Sequence, residues 1–157
     1  QEIRRRPGDP LPVRALALAH VALEEFEQFG ALLSGAYGRA IPPDLVARAQ
    51  VLAMTSEQDD VAARLGETFL ADLPPSSASA PAELKQWIAA VALQSARARA
   101  RTGAADQAVT LLEAALGWGY ADAVQLRSDP AFERLRTDAR FEGLVCALEA
   151  PGGSVSG

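Results

Sequence analysis

The sequence predicts an all-α fold, a stack of helices around one core, and three features of its 157 residues point there. Alanine, the best helix former, occurs 33 times, while the β-branched residues that favour strands are sparse. Apolar residues recur at helical spacing along most of the chain. Clusters of proline and glycine cut that pattern into helix-sized pieces.

Residues 1–9 read as a linker or upstream remnant; the arginine run Arg4–Arg5–Arg6 is a solvated linker before a helix start. From Leu11 to about Glu25, Val13, Leu16, Ala17, Ala19 and Leu23 predict a helix. A second set, Phe26, Phe29, Leu32, Leu33 and Tyr37, continues to Gly35 and Gly38. Ile41-Pro42-Pro43-Asp44 breaks the pattern, because proline lacks an N–H donor yet suits a first helical turn, and a helix from Pro43 to about Met54 is expected. Thr55-Ser56-Glu57-Gln58 supplies an N-cap for the next helix, which carries Val61, Leu65, Phe69 and Leu73 and stops at Pro74-Pro75. PPSSASAP, 74–81, is an exposed loop inserted between units.

A long helix follows over Ala82 to Arg101, with Leu84, Trp87, Ile88, Val91 and Leu93 expected on its apolar side and Thr102-Gly103 ending it. The next, Ala104 to Leu116, carries Val109, Leu111, Leu112 and Ala115 and ends in Gly117-Trp118-Gly119. Ser128-Asp129-Pro130 and Thr137-Asp138 each place N-cap residues ahead of an apolar set, Phe132/Leu135 and Phe141/Val145/Leu148, which predicts two short capped helices. Residues 151–157 read as a flexible tail.

Charge and composition narrow the function classes. A net charge of -5 offers no general attraction to phosphate backbones, so nucleic acid is not an expected partner. No apolar run reaches the roughly 18 to 20 residues a bilayer needs, so membrane insertion is not expected either. The expected compartment is the cytoplasm, or the periplasm if a signal has been removed, since the chain begins at Gln1 and reads as a fragment or processed product. The single cysteine, Cys146, cannot form an internal disulfide and is expected as a buried thiol.

The pieces repeat. In TGAADQAVTLLEAALGWGY, 102–120, Gly103 stands at a turn, with small Ala108, large Leu112 and small Ala115 following, and Ala96 takes the small position of the preceding helix. This half resembles a tetratricopeptide repeat, although Arg99 stands where that family prefers an aromatic and Ala92 where it has tryptophan. In the same frame the N-terminal pair places Ala17, His20, Phe29 and Ala36, with Glu24 for the turn glycine; the middle pair places Ala49, Leu52, Val61, Leu65 and Thr68, with Ser56 at the turn. GYADAVQLRSDPAFERLRTDARFEGLV, 119–145, resembles the terminal cap that follows such repeats in bacterial proteins.

That resemblance implies a right-handed α-solenoid of about three helix pairs, near 10–41, 42–75 and 82–120, with a cap over 121–150 in one domain. It also implies a protein-binding scaffold, a module of a larger bacterial protein, with the first helix of each pair lining a concave groove. The side chains so placed are Arg14, Leu18 and Val21, then Val46, Gln50 and Met54, then Leu93, Gln94, Arg97 and Arg101. Arg97 and Arg101, one turn apart, suit an acidic peptide or a C-terminal carboxylate, because guanidinium groups grip carboxylates bidentately; a solvated helix end is the plainer reading.

Two other classes stand beside the scaffold: a regulatory tail of a signalling enzyme or transcriptional regulator, since such caps follow those domains, and a small helical metal protein or enzyme. The last would rest on His20, Glu24 and Glu27, but one histidine without a second histidine or a cysteine cluster is a weak ligand set. Ser76, Ser77 and Ser79 have no histidine within motif distance, and Gly103, Gly117 and Gly119 form no phosphate loop. The expectation is therefore a non-enzyme without cofactor or metal.

Overall fold

The computed structural model describes residues 19–21, 25–34, 41–71, 73 and 81–149. Among these, all regular structure is helical: α1 (Phe26–Ser34), α2 (Pro43–Thr55), α3 (Asp59–Ala71), α4 (Ala82–Arg101), α5 (Ala105–Gly117), α6 (Ala123–Ser128), a 3₁₀ helix (Pro130–Thr137) and α7 (Ala139–Glu149). No described helix is long and apolar enough to cross a membrane. The first expected helix, the Gly35–Gly38 segment, the 74–80 loop and the C-terminal tail fall outside the described residues, apart from 19–21, which are helical.

Neighbouring helices pack in sequence. α2 lies against α3, both lie against α4, α4 lies against α5, and α1 lies on α3. α4 is the shared element: its N-terminal half sends Ile88 and Val91 into one apolar cluster with α1, α2 and α3, while Leu93, Ala96 and Ala100 enter a second with α5 and the C-terminal elements. Small residues make this close approach achievable. Ala49, Ala53, Ala62, Ala63, Ala92 and Ala96 are all fully buried, and an alanine surface lets the backbone of the next helix come near.

Local chemistry sets the boundaries. Pro43 opens α2, where its missing N–H costs nothing, and Thr102 closes α4 before Gly103 turns the chain with φ +87, a left-handed value glycine adopts without strain. Gly119 does the same after α5 with φ +109. Asp129 caps the 3₁₀ helix by accepting from Ala131 N at 2.9 Å, and Asp138 accepts from Arg140 N at 2.9 Å at the start of α7. Phe132 and Phe141, brought in by these turns, pack with ring centroids 5.8 Å apart and, with Val145 and Leu135, close the apolar cluster that α4 and α5 share.

Several expectations require correction. Ser56 is the C-cap of α2 rather than an N-cap, and Glu57 beyond it holds φ 62, so α3 begins at Asp59. The Pro130 segment is 3₁₀ rather than α, and Asp122 caps an additional short helix, α6, by accepting from Gln125 N at 3.0 Å. Cys146 is exposed, its thiol 3.5 Å from Glu142 Oε1, because the inward positions of α7 are taken by Phe141 and Val145. Leu84 and Trp87 lie at the surface, since the first turns of α4 present them away from the cluster that Ile88 and Val91 enter.

Candidate functional site: a groove beside α4

α2 and α4 run side by side but do not close over each other's outer edge. Between them lies a groove of about 610 Å³ whose walls include Arg48, Val51 and Leu52 from α2 and Trp87, Ala90 and Gln94 from α4, with Asp44 at the end where α2 begins. Val51 and Trp87 are 44% and 43% exposed, and they give the groove a large apolar side chain on each wall. On the other flank of α4 a second depression, of about 430 Å³, is lined by Lys85, Ala89, Leu93 and by Trp118 and Tyr120 from the turn after α5. Ala90 borders both.

The sequence-predicted groove residues other than Arg97 and Arg101 divide three ways. Arg14 and Leu18 lie outside the described residues. Val21, Val46, Gln50 and Met54 are buried and line neither of these depressions; they fill the interface of their helices with their neighbours. Gln94 does line the α2/α4 groove, and Leu93 the second depression.

The arginine pair is committed within the chain. Arg97 Nε stands 3.0 Å from Oδ2 of the buried Asp129 in an ion pair, without a hydrogen bond from that N–H, and Arg97 Nη1 donates to Gln94 Oε1 at 3.2 Å. Arg101 pairs with Asp59 at 3.4 Å. Between them Arg99 forms a two-point contact with Glu67 at 2.7 and 2.8 Å and reaches Asp60 at 3.0 Å, which raises its pKa, chiefly through the Glu67 hydrogen bonds. The cationic end of α4 therefore fastens α3 on one side and the cap on the other.

Gln50 occupies the junction of α2, α3 and α4. The two N–H groups of its Nε2 are shared among Ser95 Oγ at 2.8 Å, Ala62 O at 3.1 Å and Val91 O at 3.3 Å, and Ser95 Oγ donates to Ala63 O at 3.4 Å. Gly66 faces this hub so closely that a Cβ there would overlap Ser95 Oγ and Gln50 Nε2. The amide thus holds three helices in one register rather than facing a ligand. Sequence reading missed this network, and the signal available was a glycine in the middle of a helix.

Tyr120, at the edge of the second depression, has its phenol pushed up to about 12, first by burial and then by the nearby Asp122 and Asp129; its OH donates to Gln125 Oε1 at 2.7 Å. His20 meets Glu25, with Nδ1 2.6 Å from Oε1, while Glu27 is exposed on α1 and Glu24 lies outside the described residues. Among the described residues no group of three histidine, cysteine or acidic side chains is placed to hold a metal ion. Comparisons with protein-family models, with curated proteins and with solved structures return no match.

Proposed function

We propose that this chain is a protein-binding module, a stack of tetratricopeptide-like helix pairs that takes a segment of a partner protein in the groove between α2 and α4. The observation that carries the reading is the pair Val51 and Trp87, which are two of the four large apolar side chains exposed among the described residues, with Leu84 and Val124, and which stand on the walls of one groove. Aromatic side chains in a partly walled groove are the usual anchors of peptide recognition.

The repeat-like interior supports the same reading. Ala96, Ala108, Leu112 and Ala115, the residues that carry the resemblance, are all fully buried, Gly103 makes the turn between α4 and α5, and α2 contacts both its own partner α3 and the next pair's α4. In such a stack the first helices of successive pairs border a shared groove, and α2 and α4 are those helices.

Replacing Val51 with benzoylphenylalanine and irradiating in source-cell extract tests the proposal. The expected result is a discrete crosslinked protein that disappears when Trp87 is changed to alanine in a still-helical chain. An absence of adducts, or an adduct indifferent to Trp87→Ala, would move the function away from this groove.

A further inference from the structure

We infer that Arg97 couples the α2/α4 groove to the C-terminal cap: a hydrogen-bond donor that takes Gln94 Oε1 in the groove releases Arg97 to bond Asp129, and the cap tightens. The inference rests on the groove reading above and adds a consequence of filling the groove.

The groove end of the link is Gln94. Its side chain forms part of the α4 wall, and its Oε1 accepts from Arg97 Nη1 at 3.2 Å, about one turn further along the same helix. An occupant that offers an N–H or O–H to that wall competes with Arg97 for this oxygen.

Arg97 is divided between two acceptors. Its Nε lies 3.0 Å from Asp129 Oδ2, yet the Nε atom is buried and makes no hydrogen bond, while Nη1 is held by Gln94. A buried N–H beside a carboxylate but out of line with it forgoes a charge-assisted bond to an ionised acceptor, stronger than the one made to the neutral amide. Release from Gln94 lets the guanidinium turn and complete that bond.

The cap end is Asp129. Its side chain is 5% exposed, and among the described residues Arg97 is the cation it pairs with. Its amide closes α6 by donating to Gln125 O at 2.9 Å, its Oδ1 caps the 3₁₀ helix through Ala131 N at 2.9 Å, and its carbonyl accepts from Phe132 N at 3.1 Å. The 3₁₀ helix in turn packs on α4. Fixing the Asp129 carboxylate therefore fixes the joint between α6 and the 3₁₀ helix, and its seat on α4. By linkage, an occupant that favours this arrangement is itself favoured by it.

Gln94→Met tests the link without a ligand, since it keeps the length of the side chain and removes the acceptor. The Arg97 Nε–H is followed in ¹⁵N spectra and assigned with Arg97→Lys. In Gln94→Met this proton should move downfield and exchange with water about threefold more slowly, and the Ala131 and Phe132 amides should slow with it while Leu112 in α5 does not. In Asp129→Asn, which keeps the cap acceptor and drops the charge, the same substitution should change nothing. Unchanged or faster exchange in Gln94→Met, or slowing that persists in Asp129→Asn, overturns the coupling. Crosslinking at Val51 reads the ligand side. Capture should fall about threefold in Asp129→Asn, where displacing Arg97 from Gln94 gains no ionic bond, and should recover in Asp129→Asn/Arg97→Ala, where no arginine has to be displaced. Capture indifferent to Asp129→Asn overturns the coupling and leaves the groove reading; the absence of any adduct overturns both.

Discussion

Gln50 Nε2 donates to Ser95 Oγ at 2.8 Å across the interface of α2 and α4, and the two side chains are fully buried although they stand 45 residues apart in sequence. Both are polar groups in an apolar junction; their mutual bond and their bonds to Ala62 O, Val91 O and Ala63 O offset the burial of the Gln50 amide nitrogen and the Ser95 hydroxyl, while Gln50 Oε1 is buried without a hydrogen-bond partner. The geometry works only because Gly66 leaves room.

Gly66→Ala should therefore destabilise the protein even though alanine is favoured over glycine in a helix by about 1 kcal/mol. The added methyl displaces Gln50 and Ser95 from their acceptors, and a net loss of about 2–4 kcal/mol is expected from overpacking and unmade buried hydrogen bonds. Urea denaturation followed by circular dichroism measures it. A neutral or stabilising Gly66→Ala would show that the junction relaxes freely.

Asp129 serves three contacts at once: its carboxylate pairs with Arg97 and caps the 3₁₀ helix, and its carbonyl accepts from Arg136 at 3.3 Å. Removing the carboxylate strands the Arg97 guanidinium and the cap amide together, so Asp129→Ala should cost about 3–5 kcal/mol. Arg97→Ala should cost stability as well, and affinity for the partner identified by crosslinking should hardly change, the reverse of what a ligand-gripping arginine would do. Matched denaturation and binding curves for Arg97→Ala separate the two roles.

The exposed anchors predict the opposite pattern. Trp87→Ala and Val51→Asp remove side chains that are more than two-fifths exposed, so each should change stability by no more than about 1 kcal/mol. Capture of the partner identified by crosslinking should fall about tenfold or more in each, as truncation of a central anchor does. Variants that unfold rather than lose affinity would show these residues to be core.

These contrasts show what the sequence makes visible. Helix spacing, Pro43, Gly103 and the Asp129 and Asp138 caps are local signals, and they place α2, α4, α5 and α7 to within a residue or two, while α6 goes unforeseen. The site depends on longer-range facts. Gln50 looks like an outward polar residue because nothing local reveals Ser95, and Trp87 looks like core because periodicity counts apolar residues without knowing where the neighbouring helix ends. The arginines of α4 look free because Asp59, Asp60, Glu67 and Asp129 come from other turns of the chain.

Cys146, expected inside, faces solvent on α7, so it should react in the native protein. Ellman's reagent should titrate one thiol per chain without denaturant, at a rate within a few-fold of that in urea. Protection that lifts only on unfolding would place the thiol back in the core.

The cap should weaken first in acid. Arg127 reaches Glu149 at 2.7 Å and Glu142 at 2.9 Å, and Arg140 reaches Asp138 at 2.9 Å; these contacts hold all three carboxyls below their ordinary values of 4.5, 4.5 and 3.8. A carboxyl with a lowered folded pKa contributes stability that is present above its unfolded value and is lost as pH falls through the folded one. Arg127→Leu should accordingly lower the melting temperature at pH 7, and that deficit should stay constant down to about pH 5, then shrink below pH 4.5 as Glu142 and Glu149 take up protons in both proteins. Thermal melts of the two proteins from pH 7 to pH 3 check this. A deficit that persists unchanged at pH 3 would mean that Arg127 acts through the packing of its aliphatic stem and not through its two carboxylates.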